Sequence, residues 1–370
     1  MNPLAPILRI RSARPHRRRR GSVVVIVLAM VMLAAFFLSR FIERAMTEML
    51  VEMRARHATQ LRGEAYSALE ATLAVLADYQ AEDGGLHSPA QGWGDPLAVV
   101  DYTPPAGTRV DVEFVDESGK LSLPRLDQAG LEELGRFLDL KDLDVARFAD
   151  AFLAWTRPNH MSAHYETDPR NYEFADPPHK APARPIESFD ELASMAVVRD
   201  LLYDKDGQPN ERRARFMQAV SLFDFQTANL NGASEEALIM AGLNVTQATQ
   251  VLDFNAGKGR RASDPPQYFR SLAEAQTLLG AQVGLPGFAT TVQCLRIRVT
   301  AREGTTALRV EAVVALASAT DREQQAQRAP PQTANPARAG TNPAEPVSLQ
   351  YPFTVLALDE SIELQAAPPP

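Results

Sequence analysis

The sequence predicts an α+β fold: a long N-terminal helix packed on a small antiparallel sheet, with a large all-helical domain inserted between strands of that sheet. Three observations lead there. An uncharged run, Val23 to Leu38, passes without proline or glycine into a pattern of apolar residues mostly three or four apart. Segments that alternate with period two occur near residues 109–123 and again near 293–315. Between them the apolar spacing is helical, and neither group of strands is large enough to stand alone, so the two are expected to share one sheet.

The chain opens on a basic stretch that ends Arg17-Arg18-Arg19-Arg20-Gly21-Ser22. The run that follows carries the membrane-facing candidates Val23, Ile26, Leu28, Val31, Leu33, Phe36 and Leu38. At 1.5 Å per residue it covers roughly 24 Å, enough for a bilayer core of about 30 Å if the flanks snorkel or the bilayer thins. The arginines precede it, so the positive-inside rule leaves the N-terminus in the cytoplasm and sends the body across the membrane. Bulky residues follow Ala34-Ala35 at the far end, which disfavours ordinary signal cleavage there. Two readings remain: an uncleaved signal anchor, or a leader cut on the cytoplasmic side between Gly21 and Ser22.

Past Arg40, the residues Ile42, Met46, Met49, Met53, Leu61, Ala65, Leu69, Leu73 and Leu76 extend the helix to about Ala81, so that the span 22–81 is one element on the order of 85 Å long. Its first half needs other membrane helices to pack on, and its second half a sheet. The methionine stripe reads as helix packing. Residues 82–126 form the first part of the body: a Gly/Pro-rich loop, a strand over Arg109–Val115, a turn at Asp116-Glu117-Ser118-Gly119 and a short strand over Lys120–Leu123.

Residues 127–290 are the helical insertion. Stripes at Leu131, Leu134, Phe137, Leu138 and at Leu143, Ala146, Phe148, Phe152, Trp155 mark its first two helices. After a polar loop, Ser188 and Glu191 stand in capping-box positions, and further helices are expected over 211–220, after Ser234, over 245–254 and over 271–279. Residues 291–319 return to period two as a hairpin around Glu303-Gly304-Thr305. The Gln/Ala/Pro-rich segment 320–346 is expected to be disordered, and 347–370 to hold a last strand, interrupted at Pro352, and a frayed tail.

The chain has 38 Lys+Arg against 46 Asp+Glu, a net charge of -8. Residues 1–21 contain seven arginines and no acid, so their removal leaves -15. An exported body that acidic excludes nucleic acid as a natural partner. The single cysteine, Cys294, rules out an intrachain disulfide and reads as a small strand hydrophobe.

Arg-Arg-Gly21, Ser22 and the aliphatic run resemble the leader and first mature residues of type IV pilins and type II secretion pseudopilins. The resemblance implies cleavage between Gly21 and Ser22 by a prepilin peptidase and N-methylation of the new Ser22 terminus. Most of that family carries Glu as the fifth mature residue, where this chain has Ile26, and in this it is similar to the protein K minor pseudopilins, which lack the Glu and are placed at the filament tip. Asp116-Glu117-Ser118-Gly119-Lys120-Leu121-Ser122-Leu123, Ala151-Phe152-Leu153-Ala154-Trp155 and Asn229-Leu230-Asn231-Gly232-Ala233-Ser234 match that family in order and spacing. The resemblance implies a pilin-like body with a helical insertion, a non-enzymatic role at the tip of a secretion pseudopilus, and as partners the minor pseudopilins I and J, the major pseudopilin, the inner-membrane assembly platform and the prepilin peptidase. It requires no cofactor, although some members bind calcium through acids after the Trp.

Here Trp155 is followed by Thr156-Arg157-Pro158-Asn159-His160, which lacks those acids; Asp168, Glu173 and Asp176 are the nearest hard-oxygen candidates for calcium. His160 and His164 have the spacing of one helical face, but Pro158 and the loop composition argue against zinc. Asn229 to Leu243 is similar to helix-hairpin-helix modules that hold DNA backbone. The hairpin Gly242-Leu243-Asn244 lacks their second glycine and a basic following helix, so packing is the better reading. No nucleophile-base-orienter set is present. The alternatives are a minor pilin of a type IV pilus, which shares the leader, and a membrane-anchored periplasmic enzyme, which would keep an uncleaved anchor.

Overall fold

The computed structural model describes residues 22–175, 177–258, 267–280, 282–316 and 353–364. The leader 1–21 with Gly21, Asp176, the segment 320–346, the strand expected over 347–351 and Pro352 lie outside them.

The chain divides into two compact units after Gln60. The described part of the first is helical throughout and belongs to α1 (Ser22–Asp83), which runs two residues past the expected end. Val23, Ile26, Leu28, Val31, Leu33, Phe36 and Leu38 are all exposed, as are Ile42, Met46, Met49 and Met53. Beyond the apolar run the surface of α1 is laced by pairs one turn apart: Arg40 with Glu43 at 3.3 Å, Arg44 with Glu48 at 2.9 Å and Arg56 with Glu52 at 2.5 Å.

In the second unit the stripe read from the sequence becomes a buried face from Leu61 onward, through Ala65, Leu69, Leu73 and Leu76. The stretch expected to be loop contains a short helix, α2 (Pro96–Val99), started by proline and capped by the Asp95 side chain on the Ala98 N–H. Strand β1 (Thr108–Asp116) follows, then a single 3₁₀ turn over Glu117–Gly119 and a two-residue strand β2 (Leu121–Ser122).

The insertion then supplies α3 (Gln128–Phe137), α4 (Asp142–Thr156), α5 (Ala196–Leu202), α6 (Glu211–Ala219), β3 (Val220–Ser221), β4 (Ala228–Asn229), α7 (Glu235–Met240), α8 (Val245–Asn255) and α9 (Leu272–Leu279). Ser188 and Glu191 form the expected capping box, but the turn they start is 3₁₀ (Phe189–Ser194), and the α-helix begins only at Ala196. Ser234 caps α7 as expected. The chain returns through β5 (Phe288–Ala289), β6 (Cys294–Glu303), β7 (Thr306–Leu316) and β8 (Phe353–Leu364).

One antiparallel sheet has the order β1-β6-β7-β8. Its first pairing joins strands on either side of the insertion, from Thr108↔Glu303 to Asp116↔Leu295. The sheet is therefore split by the helical block, as the sequence predicts. Its inner face (Leu295, Ile297, Val299, Ala301, Leu308, Val310, Ala312, Val314, Phe353) packs on Leu61 to Leu76 of α1, with Leu86, Trp93 and Val292 closing the end. The short β2 does not extend this sheet; it pairs in parallel with β3, as β4 does with β5. The last strand is one 12-residue element beyond Pro352.

The insertion has two cores. Phe148 and Phe152 of α4 meet Phe216 of α6 at ring distances of 6.2 and 5.7 Å, among Leu131, Leu134, Leu192 and Val198. The second surrounds Phe254 stacked on Phe269 at 4.3 Å, with Leu238, Ala248 and Val251. Cys294 is buried with Phe225 and Val313, the small-hydrophobe role expected of it, and burial first, then the Glu117 and Asp116 carboxylates, push its thiol up.

Candidate functional site

Two surfaces carry the chemistry of this chain. The first is the opening of α1. One window of this helix has a mean hydropathy of 2.6 and is long and apolar enough to cross a membrane. Side chains such as Ile26 and Leu38, 56% and 60% exposed, have no cover among the described residues, and each leaves on the order of 1.5–3 kcal/mol of burial unrealised in water. A surface of this kind suits lipid or neighbouring helices. Ser22 is the first described residue and starts the helix, with Gly21 just outside. Arg40 sits 5.7 Å over the Phe36 ring at the polar end of the run.

The second is the joint between sheet and insertion, where two of the three family-like motifs meet. Asp116 ends β1. Its carboxylate accepts from Ser118 Oγ and from Asn229 Nδ2, both at 2.6 Å. The same Asn229 amide donates to the His87 carbonyl at 3.0 Å, and its Oδ1 accepts from the Asn231 N–H at 3.1 Å. Asn231 in turn donates to the carbonyls of Phe269 and Thr290, each at 2.9 Å, and accepts from the Phe269 N–H at 2.7 Å. The Gln293 N–H donates to Ser118 Oγ at 2.9 Å. Five chain segments, at His87, Asp116–Ser118, Asn229–Asn231, Phe269 and Thr290–Gln293, are thereby tied by two buried asparagines and one acid. A cavity of about 490 Å³ lies alongside, lined among others by His87, Trp93, Phe114, Asp116, Lys120 and Asn231.

Beside this joint runs a ladder of charge. Arg296 Nε donates to Glu117 at 2.6 Å and its Nη1 bonds Glu311; Arg298 donates to Glu311 at 3.0 Å and to Glu113 at 3.3 Å; Lys120 reaches Glu117 at 3.4 Å. Burial alone would raise Glu117, but Lys120 and Arg296, with a bond from Ser221, outweigh it and hold the carboxyl below its usual range. Asp116 has no such cation: burial lifts it to about 6 against the bonds from Ser118, Asn229 and the backbone of Ser118 and Gly119.

The third motif serves the insertion's own core. Ala151 to Trp155 lie in α4, and the Trp155 indole donates to Glu191 at 3.2 Å and meets Tyr172 edge-on at 5.3 Å. One turn earlier is a carboxylate the sequence reading passed over. Asp150 gathers His160 Nε2 at 2.7 Å, His164 Nδ1 at 3.2 Å, Thr167 Oγ1 at 2.5 Å and the N–H groups of Ala163 and His164 at 2.9 and 3.1 Å. The two histidines flagged by their spacing thus do converge, on an aspartate in a helix and not on a helical face of their own. Desolvation would raise Asp150, but the bonds from Thr167, His160 and His164 prevail and lower it.

Of the calcium candidates, Asp168 is held by Arg170 at 2.5 Å and Glu173 by Lys180 at 3.6 Å, and Asp176 is outside the described residues. Among the described residues there is no group of three His, Cys, Asp or Glu arranged to hold a metal ion. The hairpin after α7 uses Gly242 at φ +109 and buries Leu243, and Asn244 forms a capping box with Gln247 at the start of α8. α8 carries no Lys or Arg, so its face offers packing and no cradle for phosphate.

No family model and no curated protein matches the chain. Among solved structures it is similar to a chain of the GspK-GspI-GspJ complex from the type 2 secretion system of enterotoxigenic Escherichia coli, with 13% sequence identity and a TM-score of 0.52, over 83% of this chain and 97% of that one. The two share a fold along nearly the whole of the shorter chain.

Proposed function

We propose that this chain is a minor pseudopilin of the protein K type, a non-enzymatic subunit at the tip of a type II secretion pseudopilus. The observation that carries the reading is the pairing of β1 with β6 across the helical insertion, behind a helix whose opening turns are apolar and uncovered. An apolar helix stored in the inner membrane can move from lipid into a bundle of like helices without facing water, because both surroundings cover the same side chains. In this reading the body lies in the periplasm, the prepilin peptidase cuts between Gly21 and Ser22, and Ser22 is methylated. The bulk of residues 127–290 then limits the subunit to a place where nothing stacks above it, which agrees with Ile26 standing where repeating subunits carry Glu.

Its partners are minor pseudopilins of the I and J types, the major pseudopilin and the inner-membrane assembly platform. No cofactor is required, and filament initiation and export of folded proteins are the processes it serves. Co-expression with I-type and J-type minor pseudopilins from the same organism is the test. A stable ternary complex on size exclusion is expected. Failure of the folded, correctly processed chain to join either subunit would overturn the assignment.

A further inference from the structure

The joint between sheet and insertion contains an acid whose neighbouring cations are already committed: Arg296 to Glu117 and Glu311, Lys120 to Glu117. We propose that Asp116 is a proton-linked tie, holding the insertion firmly to the sheet while it carries a proton and loosening that joint when it ionises.

The hydrogen bonds leave one place on Asp116 for a proton. Asp116 Oδ2 accepts from the Asn229 amide, and that amide is locked in orientation, because Nδ2 also donates to the His87 carbonyl while Oδ1 accepts from the Asn231 N–H. Oδ2 must therefore remain an acceptor. Oδ1 faces Ser118 Oγ at 2.6 Å, and this hydroxyl already accepts from the Gln293 N–H, leaving one lone pair. A proton on Oδ1 donates into that lone pair without moving a heavy atom. On ionisation the Ser118 hydroxyl turns its own hydrogen toward Asp116, so the bond survives in the opposite sense. What changes is the charge, an anion in a site closed by Ser118, Asn229 and Gly232, where a Cβ added to Gly232 would stand 2.6 Å from Asp116 Cβ.

Beyond the hydrogen bonds from Ser118, Asn229 and the backbone N–H groups of Ser118 and Gly119, the groups around it among the described residues bring no uncommitted cation. The 3₁₀ turn presents Glu117 and Lys120, which pair with each other; β6 presents Arg296, bonded to two carboxylates, and the neutral Cys294 thiol. The loop after α1 presents His87, whose Nδ1 is bonded to the Thr290 carbonyl at 2.6 Å. α6 contributes only the uncharged Met217 and Gln218 to the adjoining cavity, and the turn after β4 only Asn231, Gly232 and Ser234. The folded chain thus keeps a proton on Asp116 that the unfolded chain has already lost. The stabilisation is complete at acid pH, below the ordinary carboxylate range, and is lost as pH rises through about 6.

The test uses the full mature protein in detergent. Thermal midpoints are measured at about pH 5 and about pH 7.5 for the natural chain and for Asp116→Asn, a neutral side chain of the same shape. The natural protein is expected to lose several degrees more than the variant between the two conditions, with the variant the more stable of the two at the higher pH. Hydrogen exchange of residues 229–234 in the natural protein, corrected for intrinsic rates, should become faster over the same interval. Parallel pH profiles for the two proteins overturn the proposal. If the variant does not fold, the exchange series decides alone: a rise supports the tie, and a flat profile overturns it.

Discussion

Gly119 and Gly232 close on each other so tightly that a Cβ on Gly119 would stand 2.5 Å from the Gly232 carbonyl carbon. One glycine belongs to the turn after β1 and the other to the turn after β4, so the contact joins the sheet to the insertion backbone to backbone. Neither residue needs glycine for a left-handed conformation; the requirement is space.

Gly119→Ala is accordingly expected to cost about 3 kcal/mol by overpacking, because the opposing atoms are main chain and cannot rotate away. Chemical denaturation of the natural and substituted proteins checks this, and Gly63→Ala, inside α1 with nothing within 4 Å of the added carbon, is the control, expected to stabilise by about 0.5–1 kcal/mol.

Arg296→Met should be more damaging than any exposed arginine substitution. It leaves Glu117, 3% exposed, with only Lys120 for a cation, at a cost of about 3 kcal/mol. The pair also sets an acid limit. Glu117 is held below its ordinary range, so its contribution is present above that range and disappears as pH falls through the lowered folded value. Unfolding titrations below about pH 5 should show this slope in the natural protein and a weaker one in Arg296→Met.

Asp150→Ala removes the acceptor for two imidazoles, a hydroxyl and two backbone N–H groups at once. A loss of about 2 kcal/mol and new proteolytic cleavage between Arg157 and Thr167 are expected. Because this loop is organised by a carboxylate within the chain, added calcium or a chelator should leave the cleavage pattern of the natural protein unchanged.

Leu76→Ala tests the packing of α1 on the sheet. Leu76 is fully buried among the inner-face residues, so a loss of 2–5 kcal/mol is expected by denaturation, against little change for Met49→Ala, which is exposed.

The large features were legible because they rest on periodicity. The stripe from Leu61 to Leu76 faces the sheet, and the period-two segments on both sides of the insertion pair with each other. Element ends and pairings were less legible. Lys120–Leu123 reads as a second short strand after β1, but Leu121–Ser122 joins β3, because the 3₁₀ turn over Glu117–Gly119 redirects the chain, and nothing in a two-residue strand states its partner. Ser188 and Glu191 were readable as a capping box, yet not the 3₁₀ geometry of the turn they start.

The site was legible in pieces only. Asp116 and Asn229 each lie in a motif singled out by resemblance, but their contact spans 113 positions and leaves no trace in local pattern. His160 and His164 drew attention by spacing, whereas Asp150 was hidden inside an apolar helix stripe, where an acid reads as an interruption. Its burial beneath a loop is what turns it into an organising centre.

In the proposed role a cleaved, membrane-stored helix carries a split sheet into a filament. Its most direct test is the intact mass and N-terminal sequence of the protein made in a host that has the prepilin peptidase. A chain that begins at N-methylated Ser22 is expected. A chain that retains residues 1–21, or begins elsewhere, would contradict it.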